Sequence, residues 1–266
     1  MTGLTLTKKY KLLKHFYQNS LRMKPIFLHI IFLFVYSLTF SQEQVITINS
    51  KHLSKKIKII TYNTKTNIKQ LVYITDGKKF IDHGGLEKIK TLTKKGKIPP
   101  AQYVFINTID PESKEDRRNY FFFNNPKYLD FFESELIPRI ETSLTSTQFE
   151  SKDRSLIGIS FGGLNAAYFS AKSEKFKNFA LLSPITYPKK EKLIKAITFS
   201  ENKNLKIFLS TGINDAENYV KDLKAIYLSK NYNIKTLQTE GSHDFKNWNR
   251  QLNLILTLLL SSIYNK

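Results

Sequence analysis

Short apolar runs alternate along the chain with longer stretches whose apolar positions recur at helical spacing. Weak alternation over 45–48 and clearer alternation over 56–62 predict two strands with no helix between them. Residues 68–75 predict a third strand, more apolar and therefore more central, which stops at the turn dipeptide Asp76-Gly77. A helix is expected over 86–95 and a buried strand over 103–108. Residues 110–125 read as a polar loop carrying Arg117 and Arg118. Phe131, Phe132, Leu136, Ile137 and Ile140 share one face of an amphipathic helix predicted over 126–147, bent at Pro138.

The next segment changes period within a few residues. Ser155 to Ile159 is an apolar run that suits a buried parallel strand, and 164–171 is rich in alanine and aromatics without proline, as a helix requires. Between them stands Gly158-Ile-Ser160-Phe-Gly162, a G-x-S-x-G pattern whose physical meaning is a serine on a tight strand-to-helix turn. Gly158 and Gly162 fall where a Cβ meets neighbouring backbone, and the turn aims the free N–H groups of the new helix at whatever binds there. Strands over 179–182, 205–210 and 234–239 then alternate with helices over 187–200, 216–229 and 245–263. The expected class is α/β: a mostly parallel sheet with helices on both faces, an antiparallel N-terminal edge, and no large cap domain.

Composition alters this picture at the N-terminus. Met23-Lys24-Pro25 precedes an apolar run over 26–40 and then Ser41-Gln42-Glu43, the pattern of a secretory signal and too short for a membrane span. Met23 is the expected initiator, residues 1–22 an upstream extension, and 42–266 a single exported domain in a periplasmic or extracellular space. The chain has no cysteine, which excludes disulfides and a cysteine-linked lipid anchor. Its net charge is +20, but residues 1–41 hold six bases and no acid, leaving 36 bases against 22 acids, or +14. That surplus is scattered lysine unaccompanied by a nucleic-acid motif, so no nucleic-acid partner is expected.

A serine nucleophile needs a base, an orienting acid and oxyanion donors. In a parallel sheet such groups gather at the carboxyl ends of strands. After Ser160, one strand ends in Thr211-Gly-Ile-Asn-Asp215 and the next in Glu240-Gly-Ser-His243-Asp244, giving the order Ser…Asp…His found in α/β-hydrolases. His243 is therefore the expected base and Asp215 its acid, with Glu217 a competitor and Asp244 too near His243 to orient it. His52 reads as a surface residue at the far edge. The backbone N–H groups of Phe161 and Lys78 are the expected oxyanion donors, with His83-Gly84-Gly85 as a rival to the second. Arg117 or Arg118 is available for an anionic group of the substrate.

These residues resemble the enterochelin-esterase and esterase D group of α/β-hydrolases. The likeness rests on Leu71 to Gly77, on Arg117-Arg-Asn-Tyr120 with Phe131 to Pro138, on Arg154 to Gly163, and on Gly241-Ser-His-Asp244 with Trp248. It implies a serine esterase that hydrolyses carboxylic esters of small molecules through an acyl-enzyme, with Ser160 and His243 carried over and Asp215 at the variable acid position. No metal or organic cofactor is implied. Siderophore-type esters are the expected substrates; a carbohydrate (acetyl or feruloyl) esterase, an acyltransferase and a non-catalytic binding protein of the same fold are the alternatives.

Overall fold

The computed structural model describes residues 43–64, 68–144 and 148–261, so the expected leader lies outside the described residues. Among them, eight strands form one sheet: β1 (Glu43–Ser50), β2 (Lys55–Asn63), β3 (Leu71–Ile74), β4 (Gln102–Ile106), β5 (Arg154–Ile159), β6 (Asn178–Leu182), β7 (Lys206–Gly212) and β8 (Asn233–Thr239). Their spatial order is β1-β2-β4-β3-β5-β6-β7-β8. β1, β2 and β4 pair antiparallel and every later pairing is parallel. The two strands without an intervening helix thus make the antiparallel edge, as their sequence implies.

Helices cover both faces: α1 (Gly77–Asp82), α2 (Gly85–Lys94), α3 (Arg118–Phe122), α4 (Pro126–Phe131), α5 (Ile137–Thr142), α6 (Phe161–Lys172), α7 (Lys190–Thr198), α8 (Glu217–Ser229) and α9 (Phe245–Leu260). Successive residues of the central strands enter different cores, as the period of two demands. Leu71, Tyr73, Leu156 and Leu181 join the core beneath α3–α8, whereas Val72, Ile74, Ile157 and Leu182 join the one beneath α1, α2 and α9.

Three local outcomes depart from the sequence pattern. β3 begins at Leu71, later than expected, and the turn dipeptide Asp76-Gly77 opens the six-residue helix α1 instead of a loop. Within 110–125, α3 replaces part of the expected loop and is tied back by a bridge between Ile109 and Asp116. The bend expected at Pro138 is taken up by a π-helical segment, Phe132–Leu136, between α4 and α5. Proline at 138 has no N–H to donate and its ring crowds the carbonyl four residues back, so a wider turn relieves both.

That π segment presents Phe132, fully buried, to an aromatic cluster. Its ring centroid lies 4.9 Å from Phe169, 5.0 Å from Tyr128, 5.8 Å from Phe131 and 6.2 Å from Tyr73. Edge-to-face contacts of this kind add to burial. Phe132→Ala is expected to cost roughly 3–5 kcal/mol in urea unfolding and Phe132→Leu clearly less, since the leucine refills much of the space.

Candidate active site

β5 enters the site from a fixed base. Arg154, at its first residue, donates from Nε and Nη2 to the two carboxylate oxygens of Glu141 (2.6 and 2.9 Å) and from Nη2 to Phe149 O (2.9 Å). At the other end the chain turns through Ser160, whose backbone holds φ 57° and ψ −118° before α6 begins. A non-glycine residue at such a φ is strained, and the surrounding bonds must hold it there. Ser160 N–H donates to Leu182 O (2.9 Å), and Ser160 O accepts from Gly163 N–H (2.9 Å) and Ile185 N–H (3.1 Å). A Cβ on Gly158 would fall onto the carbonyl of Gly162, and one on Gly162 would stand 2.5 Å from Thr75 Oγ1. Both glycines are required by close approach, the first of backbone to backbone and the second of backbone to side chain.

The three residues expected to act together do meet. His243 Nε2 lies 3.0 Å from Ser160 Oγ, and His243 Nδ1 lies 2.5 Å from Asp215 Oδ1. The Asp215 side chain is 2% exposed, and its Oδ2 accepts from Ser183 Oγ–H (2.5 Å) and Gly212 N–H (3.2 Å). Glu217, the competing acid, accepts instead from Asn214 N–H and Gln238 Nε2 (both 2.8 Å). Asp244 caps α9 by accepting from Asn247 N–H (2.7 Å). The loop bearing His243 is seated by the same helix, since Asn247 Nδ2 donates to Ser242 O (3.0 Å) and Asn247 Oδ1 accepts from Thr239 Oγ1 (2.7 Å).

The other two histidines among the described residues have different surroundings. His52 Nε2 bonds Ser134 Oγ (2.9 Å) beside the outer strands. His83 ends α1, stacks on Phe245 at 4.2 Å between ring centroids, and bonds Lys79 O through Nδ1 (2.7 Å). The His83-Gly84-Gly85 segment is the junction of α1 and α2, with Gly84 capping α2 at φ 83°.

Phe161 and Lys78 each lie in the first turn of a helix, α6 and α1, where backbone N–H groups have no intrahelical acceptor. The two helix starts are neighbours because Gly162 packs on Thr75 and Asp76. What locks them together was not read from the sequence. Arg118 Nε donates to both oxygens of Asp76 (2.8 and 2.7 Å), and its Nη2 donates to Ile159 O (3.2 Å). Its guanidinium also lies 5.2 Å from the Phe161 ring centroid and 5.7 Å from that of Phe122, at cation–π range. A second strap joins the same loop to α1: Lys79 Nζ donates to Asp116 Oδ2 (2.8 Å), while Asp116 Oδ1 accepts from Arg118 N–H (3.0 Å). Arg118 is thus not a solvated loop charge, since its Nε and Nη2 are engaged within the protein, and Arg117 pairs with Glu115 (2.7 Å).

Chemically, the arrangement sets a hydroxyl within hydrogen-bond distance of an imidazole and beside two helix starts, a geometry compatible with attack on a carbonyl whose oxygen gains charge. Fold and side-chain geometry together define an α/β-hydrolase. Residues 50–259 match the family described as "Putative esterase", and the chain belongs to this family of hydrolases acting on ester bonds.

Solved structures share the fold. The enterobactin esterase FES from Shigella flexneri, crystallised with 2,3-di-hydroxy-N-benzoyl-serine, superposes with a TM-score of 0.74 at 22% identity, over 85% of this chain and 61% of that one. The BES protein from Bacillus cereus gives 0.68 at 17% identity, over 83% and 95%. A ferulic acid esterase gives 0.66 at 18% identity, over 82% and 98%. This chain therefore spans about three fifths of the enterobactin esterase it matches. No curated protein matches it in sequence.

Burial raises the Asp76 carboxyl above the usual carboxylate range, and the Arg118 guanidinium works against that shift. A raised folded value means that the native state keeps this proton longer than the unfolded chain, so the group's contribution to stability falls as pH rises through that window. Arg118→Met removes the opposing charge and widens the window upward. The variant is expected to lose roughly 3 kcal/mol, a buried pair with one partner removed, with a larger deficit at pH 8 than at pH 5 in urea unfolding.

Proposed function

We propose that this chain is an exported serine esterase working through an acyl-enzyme. The observation that carries the reading is the pair of contacts on one imidazole: Nε2 at 3.0 Å from Ser160 Oγ and Nδ1 at 2.5 Å from Asp215. In this reading His243 takes the Ser160 proton as Oγ attacks the ester carbonyl, while Asp215 holds the imidazole tautomer and stabilises the imidazolium. The N–H groups of Phe161 and Lys78 receive the oxyanion. His243 then returns the proton to the leaving alkoxide, and water, deprotonated by the same base, releases the acid from Ser160. Export rests on the leader pattern over 23–41. Among the described residues, no helix is long and apolar enough to cross a membrane.

Siderophore-type esters are the first substrate class, supported by the likeness to the enterobactin esterase. A second reading has its own support. This chain covers 98% of the ferulic acid esterase but only 61% of the enterobactin esterase, which favours a feruloyl or acetyl ester of a carbohydrate.

Ser160→Ala should lower kcat for p-nitrophenyl acetate on the order of a millionfold and abolish labelling by a fluorophosphonate probe. Persistent labelling or turnover in that variant would overturn the esterase reading. Asp215→Ala should cost about a thousandfold or more, while Glu217→Ala stays within about threefold, because only the first carboxylate touches His243. A panel of ferric siderophores, feruloyl esters and acetylated sugars separates the two substrate classes by kcat/KM.

A further inference from the structure

Behind Asp215 lies a buried pair of residues that the esterase mechanism leaves unused. Ser183 closes β6 with φ 43°, a left-handed conformation in a fully buried non-glycine residue. Its N–H donates to Ser210 O (2.7 Å), which ties this residue to β7. Its hydroxyl faces two partners: Asp215 Oδ2 at 2.5 Å and Trp248 Nε1 at 2.9 Å. Trp248, the chain's only tryptophan, is 4% exposed at the end of the first turn of α9. Its ring also meets His243 edge to face, at 5.0 Å between centroids and 86° between planes.

The chemistry of these groups permits only one direction of hydrogen bonding. An indole N–H donates and cannot accept. Ser183 Oγ must therefore accept from Trp248, and its own hydrogen is left for Asp215 Oδ2. With Gly212 N–H on the same oxygen, Asp215 is held as an acceptor and its free face is Oδ1. Oδ1 must then receive His243 Nδ1–H, which leaves Nε2 of the neutral imidazole as the acceptor for the Ser160 hydroxyl.

We infer that Ser183 and Trp248 are positioning residues that set the proton direction of the whole constellation, from a donor-only indole through Ser183 and Asp215 to His243. Trp248 acts twice, once through Ser183 on the carboxylate and once through its ring on the imidazole. The strain at Ser183 fits this role. The residue sits where the chain leaves β6, with its hydroxyl between Asp215 after β7 and Trp248 of α9.

This inference rests on the esterase reading, and the test keeps the two apart. Ser183→Ala, Trp248→Phe, Asp215→Ala and Ser183→Ala/Asp215→Ala are assayed on p-nitrophenyl acetate beside the wild type and Ser160→Ala. Activity lost in Ser160→Ala but present in the wild type keeps the esterase reading, whatever the other variants do. Ser183→Ala deletes one oxygen, and Trp248→Phe keeps an aromatic ring against His243 while removing the N–H. Ser183→Ala is expected to lower kcat about tenfold to a hundredfold, the range of a hydrogen bond to a charged group, and Trp248→Phe about threefold to tenfold, the range of a neutral one, each with KM within about twofold. In the Asp215→Ala background, Ser183→Ala should add less than about twofold, because its effect passes through the carboxylate.

Unchanged kcat in both Ser183→Ala and Trp248→Phe would overturn the inference. So would a Ser183→Ala loss of the same size with and without Asp215, which would mark a purely structural role. Urea midpoints measured on the same samples read folding separately from turnover. If Trp248→Phe is too unstable to assay, Ser183→Ala and its double variant decide alone.

Discussion

The close approach of β5 and α6 at Gly158 and Gly162 is the constraint on which the rest of the site depends. The strand must reverse into a helix within a single residue, and that residue must show its hydroxyl to solvent. Only a backbone with no side chain at 158 lets the carbonyl of Gly162 descend onto the strand, and only glycine at 162 clears Thr75. Ser160 is then held at φ 57° by the bond its N–H donates to Leu182 O and by those its carbonyl accepts from Ile185 and from its own helix. The strain is local, of order 1–3 kcal/mol for one residue, and the sheet around it is buried on both faces. Its consequence is spatial. The first turn of α6 comes to rest against Thr75 and Asp76, so the beginning of α1 lies beside the serine without any loop reaching for it.

Two helix starts side by side repel each other, because each carries a partial positive charge. Asp76 answers this from within. Its carboxylate is buried at the start of α1, with Oδ2 3.5 Å from where a Gly162 side chain would stand, and Arg118 pairs with it. A buried ion pair is seldom a large source of stability, since desolvation consumes most of the attraction. Its value here is registration. One guanidinium touches the turn before α1, the carbonyl preceding Ser160 and the ring following it, so the parts flanking the serine cannot shift independently.

The sequence was informative wherever a side chain acts through its position along its own strand. Period-two and helical spacing located the elements, and the rule that chemistry gathers at strand ends selected Asp215 and His243 from many polar residues. Glycine spacing marked the turn at Ser160 for the same reason. Arg118 was illegible because its partner lies 42 residues away and nothing local distinguishes a paired arginine from a solvated one. The six-residue α1 was hidden by its opening dipeptide, whose turn chemistry is equally that of a helix start. At Pro138 the disruption was legible but not its form, a π turn that keeps Phe132 buried. Ser183 stood at a strand end like the others, yet a serine before proline carries no signal of its partners.

Each core reaches the site through a different helix, and this sets how stability and chemistry are linked. From the core beneath α3–α8 come Arg118 and Phe161; from the core beneath α1, α2 and α9 come Lys78 and Trp248. α9 is the helix that covers much of the second core, through Leu252, Ile255, Leu256 and Leu259. Its first turns hold the loop of His243 through Asn247 and place the indole behind Asp215 through Ser183. A packing defect far along α9 therefore has a direct mechanical path to the imidazole, through one rigid helix and a chain of short hydrogen bonds. The outer strands β1 and β2 are less directly linked: β2 joins the sheet through β4, which contributes no side chain to the Ser160–His243–Asp215 contacts, and its ties to the 110–118 loop run through Lys55–Asp110 and Lys56–Glu112. Substitutions at that edge should reach global stability first, whereas those along α9 should alter turnover while the protein is still fully folded.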